Sequence, residues 1–130
     1  MKKLIPILLS ALMFTGCAGA GNSTAKNTYR QISMEEAVTM MAQESSYIIL
    51  DVRRPDEFAA GHIPSAINVP NESIGIAEIP ELPNKDQLIM VYCRSGRRSK
   101  EASEKLVKLG YTNIVEFGGI LDWKGEIVTE

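Results

Sequence analysis

Apolar residues in this chain fall into short runs separated by amphipathic stretches. Tyr47-Ile48-Ile49-Leu50-Asp51-Val52 and Leu88-Ile89-Met90-Val91-Tyr92 are mostly apolar and too short for helices, the pattern of strands covered on both faces. Thr28 to Ile32, Ala66 to Val69 and Asn113 to Phe117 are further strand candidates. Between them lie helical signals. Ser33-Met34-Glu35-Glu36 has the form of a capping box, Ser at the N-cap and Glu at N3, and opens a helix through about Gln43. Pro55-Asp56-Glu57-Phe58-Ala59-Ala60 starts as a helix does, with proline near N1 and early acids, and Gly61 ends it. Ser99 to Leu109 is amphipathic. From Asn71 to Lys85 the pattern is poor, and Pro80 and Pro83 allow at most a short helix between Glu72 and Ile79.

Strands alternating with helical crossovers imply an α/β fold: a mainly parallel central sheet of about five strands with helices on both faces. In such sheets ligands bind at the carboxyl ends of strands. Cys93 follows the Leu88–Tyr92 run directly and opens Cys93-Arg94-Ser95-Gly96-Arg97-Arg98-Ser99, which leads into the last helix. Strand, tight loop and helix turn backbone N–H groups toward one point, where an anion can be cradled. Three arginines add charge, so Cys93 is expected to be a nucleophile that reacts as the thiolate. A buried structural cysteine is the plainer reading, but it leaves Arg94, Arg97 and Arg98 around an apolar thiol for no gain.

The start of the chain changes the setting. Met1-Lys2-Lys3 is a short basic segment, and Leu4 to Phe14 is apolar apart from Pro6 and Ser10. That run is shorter than the roughly 20 residues a membrane span takes and has the proportions of a secretory signal, so residues 1–16 are expected to be a signal peptide. Phe14-Thr15-Gly16-Cys17 looks like a bacterial lipobox, with Phe14 where leucine is usual, which makes Cys17 the expected lipid attachment site. Ala18-Gly19-Ala20 offers ordinary cleavage before Gly21 instead. The favoured reading is an exported protein, lipid-anchored at a bacterial membrane and facing the periplasm or the cell exterior; the alternative is a soluble periplasmic one. Residues 17–28 then form the lipidated cysteine and a flexible tether, and residues 29–130 a single domain. With Cys17 lipidated or removed, Cys93 has no disulfide partner.

The chain has 14 basic and 16 acidic side chains; without Lys2 and Lys3 the remainder is formally −4. A mildly acidic domain is no candidate for nucleic acid, and its only expected membrane contact is the lipid anchor. The arginines beside Cys93 are a local feature, suited to a small anionic ligand.

Three motifs resemble one family in order and spacing. Leu50-Asp51-Val52-Arg53 through Gly61-His62-Ile63-Pro64-Ser65-Ala66-Ile67-Asn68-Val69-Pro70 is similar to the first signature of the rhodanese homology domain, with Ser65 where glycine is frequent. Val91-Tyr92-Cys93 through Ser99 resembles its active-site loop, and Phe117-Gly118-Gly119-Ile120-Leu121-Asp122-Trp123 its close. The resemblance runs from about Tyr29 to the C-terminus. It implies a thiosulfate sulfurtransferase in which Cys93 takes a sulfane sulfur from a small anionic donor, holds it as a persulfide, and yields it to cyanide or a thiol. Loop amides from Arg94 to Ser99 (Arg94, Ser95, Gly96, Arg97, Arg98 and Ser99) would stabilise the persulfide; Arg98 and Arg94 would bind the donor's sulfonate. No cofactor and no metal are expected.

Two rivals remain. A phosphatase or arsenate reductase of related fold carries a cysteine loop one residue longer, closing in arginine at the seventh position; here that position is Ser99, and Tyr92 precedes the cysteine. Rhodanese-like domains also serve as non-catalytic interaction modules, usually with the cysteine lost. Among other residues, His62 reads as a turn histidine rather than a base, and Asp51 as an ion-pair partner of Arg53 that braces the sheet-end loops. Trp123 reads as a core cover, and Met34, Met40 and Met41 as helix packing rather than a metal site.

Overall fold

The structure is a computed structural model that describes residues 28–130. The expected signal peptide, Cys17 and all but the last residue of the tether lie outside the described residues. The chain order is β1 (Arg30–Gln31), α1 (Met34–Gln43), β2 (Ile48–Asp51), α2 (Pro55–Ala60), β3 (Ile67–Asn68), β4 (Ile89–Cys93), α3 (Arg97–Lys108) and β5 (Ile114–Gly119). The five strands form one sheet in the order β1-β5-β4-β2-β3, and every neighbouring pair is parallel.

Both faces of the sheet are covered, as the apolar runs require. On one side α3 packs Ala102 and Leu106 onto Leu50, Val91 and Cys93. On the other, Ala37 of α1 and Phe58 of α2 pack with Met90, Tyr92 and Phe117. Alternation along β4 therefore sends Ile89, Val91 and Cys93 to the α3 face and Met90 and Tyr92 to the α1 face. Central placement makes all five residues of β4 buried. The edge strands β1 and β3 are shorter than the sequence predicts, two residues each, since each has a partner on only one side.

Local signals act as read. Ser33 Oγ accepts the Glu36 amide at 3.0 Å while the Glu36 carboxylate accepts the Ser33 amide at 2.8 Å. Pro55 begins α2 and Gly61, at φ 156°, ends it. Two differences concern the cysteine loop. Cys93 belongs to β4, and α3 starts at Arg97 rather than Ser99 because Gly96 takes a left-handed conformation (φ 117°) that turns the chain straight into the helix. The Asn71–Lys85 segment holds only a 3-10 turn at Asn71–Ser73; Ile74, Ile79 and Leu82 anchor it in the core, and Leu82 O accepts the Tyr111 hydroxyl at 2.6 Å.

Two polar constructions brace the carboxyl ends of the strands. Asp51, fully buried, accepts from Arg53 Nη2 at 2.7 Å, from the Arg53 amide at 2.9 Å and from the Tyr92 hydroxyl at 2.7 Å. Tyr92 Oη in turn accepts the Ile63 amide at 3.1 Å, and Arg53 donates to Gly61 O at 2.7 Å. Removing one member of such a buried pair strands the other, at a cost of about 3–5 kcal/mol. Further out, Arg98 of α3 donates to both oxygens of Glu57 on α2, at 2.8 and 3.2 Å, and the Arg54 amide adds a third bond at 3.0 Å.

The Arg98 hydrogen bond is the largest reason the Glu57 carboxyl falls from 4.5 to about 2. A carboxyl depressed in the folded state stabilises the fold above its unfolded value and loses that contribution as pH falls through the folded value. Glu57→Gln should therefore lower stability near neutrality and flatten the acid limb between pH 4.5 and about 2. Urea midpoints followed by circular dichroism across that range check this. Parallel curves for the two proteins would refute the clamp.

Candidate active site

Cys93 ends β4 with its side chain 1% exposed. Arg94, Ser95 and Gly96 make the turn, and Gly96 is the N-cap of α3. The Gly96 N–H points back at Cys93 Sγ, 3.0 Å away, so a backbone donor and the start of a twelve-residue helix face the sulfur together. Among the described residues Cys93 is the only free cysteine.

What holds the turn down is the end of β5. A Cβ built on Gly119 would lie 2.1 Å from Arg94 O and 2.6 Å from Ser95 Cα, so the loop backbone rests directly on that glycine. The Leu121 amide then donates to Arg94 O at 3.2 Å. The Phe117–Trp123 motif thus shapes the cysteine loop from below.

Charges at the mouth are paired more than the sequence alone predicts. An opening of about 380 Å3 above the loop is lined by Arg54, Glu72, Arg94, Ser95, Arg97 and Arg98. Arg97 bonds Glu101 at 3.0 Å, Arg98 bonds Glu57 at 2.8 Å, and Arg54 bonds Asp56 at 3.1 Å. Arg94 is the loop guanidinium with no carboxylate partner among the described residues, and it is exposed. Glu57 raises the Arg98 guanidinium above its ordinary value, with a smaller contribution from the charge of Cys93. The Gly96 amide and the α3 terminus therefore face the sulfur directly, Arg98 acts on it through its charge, and Arg94 is exposed at the mouth. Arg97 and Arg98, expected in the loop, sit instead on the first turn of α3.

Ser99 is fully buried beneath the loop. The Cys93 thiol donates to Ser99 Oγ at 3.5 Å, and Ser99 Oγ donates to Glu116 Oε2 at 2.5 Å. Glu116, 2% exposed on β5, is a residue that pattern reading passes over. The signal was present: one acid inside Ile114-Val115-Glu116-Phe117, a strand otherwise apolar and buried on both faces.

The other singled-out side chains fall where a structural role puts them. His62 Nδ1 lies 2.8 Å from Phe58 O, and its ring stacks on Phe58 at 3.7 Å between centroids. Asp51 pairs with Arg53. Trp123 covers the α1-side core and donates to Glu126 O at 3.0 Å; Met34, Met40 and Met41 pack on the same cluster. Among the described residues no group of three or more His, Cys, Asp or Glu side chains is disposed to hold a metal.

Comparison with known proteins points the same way. The family model of the rhodanese-like domain matches residues 33–126. A sulfurtransferase of Allochromatium vinosum is 36% identical over 94 residues, covering 72% of this chain and 86% of that protein. The thiosulfate sulfurtransferase PspE of Escherichia coli is 36% identical over 73 residues, covering 56% of this chain and 70% of PspE. A solved rhodanese-related protein from Thermoplasma volcanium superposes with a TM-score of 0.65 at 31% identity, over 78% of this chain and 100% of that one. A buried cysteine at the end of a central parallel strand, on a loop seated against a Gly-Gly turn, thus accompanies the sequence match, and the chain belongs to the rhodanese-like domain family, among sulfurtransferase relatives.

Proposed function

We propose that the domain is a ping-pong sulfurtransferase in which Cys93 carries one sulfane sulfur from a small anionic donor such as thiosulfate to cyanide or a thiol. The observation that carries this reading is the 3.0 Å bond from the Gly96 amide to Cys93 Sγ at the head of α3. A donor held there develops negative charge on the terminal sulfur, and a preorganised amide needs no rearrangement to meet it. Arg94, unpaired at the mouth, meets the sulfonate oxygens and the departing sulfite; Arg98, fixed by Glu57, holds its charge near the sulfur. The thiosulfate sulfurtransferase activity named for PspE supports this donor class.

A phosphatase reading lacks its anion clamp. The seventh loop position is Ser99, buried and turned toward Glu116 rather than the mouth. A purely non-catalytic module gives no account of a sulfur aimed at by a backbone donor. Location is a separate proposal: the Phe14–Cys17 lipobox and the run before it support an exported, lipid-anchored protein.

Intact mass after incubation with thiosulfate should show one added sulfur on Cys93, removed by cyanide with release of thiocyanate and absent in Cys93→Ser. No uptake from any sulfane donor would end the enzyme reading. In the same assay Arg94→Ala or Arg98→Ala should reduce turnover by about 10²-fold, the scale of a lost anion-hole donor. Lys108→Ala, at the far end of α3, should leave turnover unchanged; equal losses in all three variants would remove the arginine role. For location, Cys17→Ala should move the protein from the membrane to the soluble fraction, and persistent membrane association would defeat the lipid anchor.

A further inference from the structure

Behind Cys93, on the side away from the mouth, lies a carboxylate that the sulfur-transfer scheme does not use. Strand alternation puts Glu116 on the α3 face of β5, the face that also carries Cys93. Its Oε2 accepts from Ser99 Oγ at 2.5 Å and from the Gly118 amide at 3.0 Å; its Oε1 accepts from Gln31 Nε2 at 3.4 Å. No Lys, Arg or His pairs with it among the described residues. The groups facing it are thus neutral or acidic: Gln31 of β1, Ser99 of α3 and, through its field, the Tyr29 phenol, which feels both Glu104 and Glu116.

Ser99 has one hydroxyl hydrogen and three acceptors around it: Glu116 Oε2 at 2.5 Å, Gly96 O at 2.9 Å and Gly118 O at 3.4 Å. The hydrogen goes to the nearest, the carboxylate, and the lone pairs face the sulfur, which donates its own hydrogen at 3.5 Å. Thiol, hydroxyl and carboxylate are therefore three links of a chain whose donors all point one way, from Cys93 to Glu116.

We propose that Glu116 takes the proton of Cys93 through the Ser99 hydroxyl when the cysteine is loaded, and returns it when the sulfur leaves. The proposal rests on the sulfur-transfer reading. In the loading step the thiol proton passes to Ser99 Oγ as the Ser99 proton passes to Glu116. The sulfur then attacks the sulfane sulfur of thiosulfate, the new S–S bond forms, and the old one breaks with its electron pair leaving on sulfite. Cys–SH, thiosulfate dianion and Glu carboxylate become Cys–S–S⁻, sulfite dianion and Glu carboxylic acid, with three negative charges on each side. When cyanide removes the sulfur as thiocyanate, the proton runs back to the cysteine.

The physical reason is charge. Cys93 and Glu116 are both buried, 1% and 2% exposed, and a second anion placed beside the first carries a large desolvation penalty. Moving the proton keeps the pocket at one negative charge throughout. It also reverses the Ser99 hydroxyl, so that the loaded cysteine can accept from Ser99 as well as from the Gly96 amide.

Counting protons tests this separately from sulfur uptake. The processed protein is loaded with thiosulfate in weak buffer containing an indicator dye, alkaline to sulfite's own titration, and intact mass of the same sample gives the sulfur bound. Wild type should release no proton per sulfur loaded, whereas Glu116→Gln, which lacks the acceptor, should release one; Ser99→Ala, which keeps the acceptor and lacks only the relay, should load sulfur more slowly. Equal proton release in wild type and Glu116→Gln would overturn the proposal, since a residue that only shapes the loop leaves the count unmoved. Should the variants fail to fold, the infrared difference spectrum of wild type decides: loading should bring up a protonated-carboxyl C=O stretch that shifts in D2O, and its absence would overturn the proposal. Failure of wild type to gain sulfur by mass would instead remove the underlying sulfur-transfer reading, and the proposal with it.

Discussion

Burial of Cys93 at the end of the central strand is the constraint on which the site depends. With the side chain 1% exposed, water cannot stabilise an anion on that sulfur, so the protein must supply the stabilising groups itself. The Gly96 amide at 3.0 Å and the α3 terminus do so, and both exist only because Gly96 turns left-handed between strand and helix. That turn in turn needs the space above Gly119, where any side chain would meet Arg94 O. Two distant stretches, the cysteine loop and the Gly118-Gly119 turn, are one construction.

The sheet's carboxyl edge is stiffened on the other side by the Asp51 cluster. Asp51 gathers Arg53 and Tyr92, and Tyr92 is the residue immediately before Cys93, so the strand entering the loop is fixed through its neighbour. At the mouth the charges are nearly balanced, with three arginines each held by a carboxylate and Arg94 left over. The rim therefore carries one uncommitted guanidinium, Arg94, while Arg98, whose charge acts on Cys93, is held in place by Glu57. Exposed pairs such as Arg97–Glu101 add little to stability. The Arg98–Glu57 clamp, less exposed, both joins α2 to α3 and sets where the Arg98 charge stands.

Much of this was legible in the chain where the signal is local. The capping box at Ser33 and Glu36, the Pro55–Gly61 helix and the apolar Leu88–Tyr92 run each state their structure within a few residues, and they give the alternation from which a parallel sheet follows. The amphipathic pattern starts at Ser99, whereas α3 starts at Arg97, because the left-handed Gly96 brings the helix forward. The pairing of Arg98 with Glu57 spans 41 residues and leaves no local trace. The burial of Glu116 depends on the sheet order, which places β5 between β1 and β4 with α3 over it, and no local pattern states that order. What escaped was long-range, and it concerned which charges are free.

The most direct test of the central claim is a crystal structure of the protein after thiosulfate treatment. The account predicts a single added atom about 2.05 Å from Cys93 Sγ, within hydrogen-bonding reach of the loop amides, with the rest of the loop unmoved. An unmodified Cys93, or an intact oxyanion seated in the loop with no S–S bond, would contradict it.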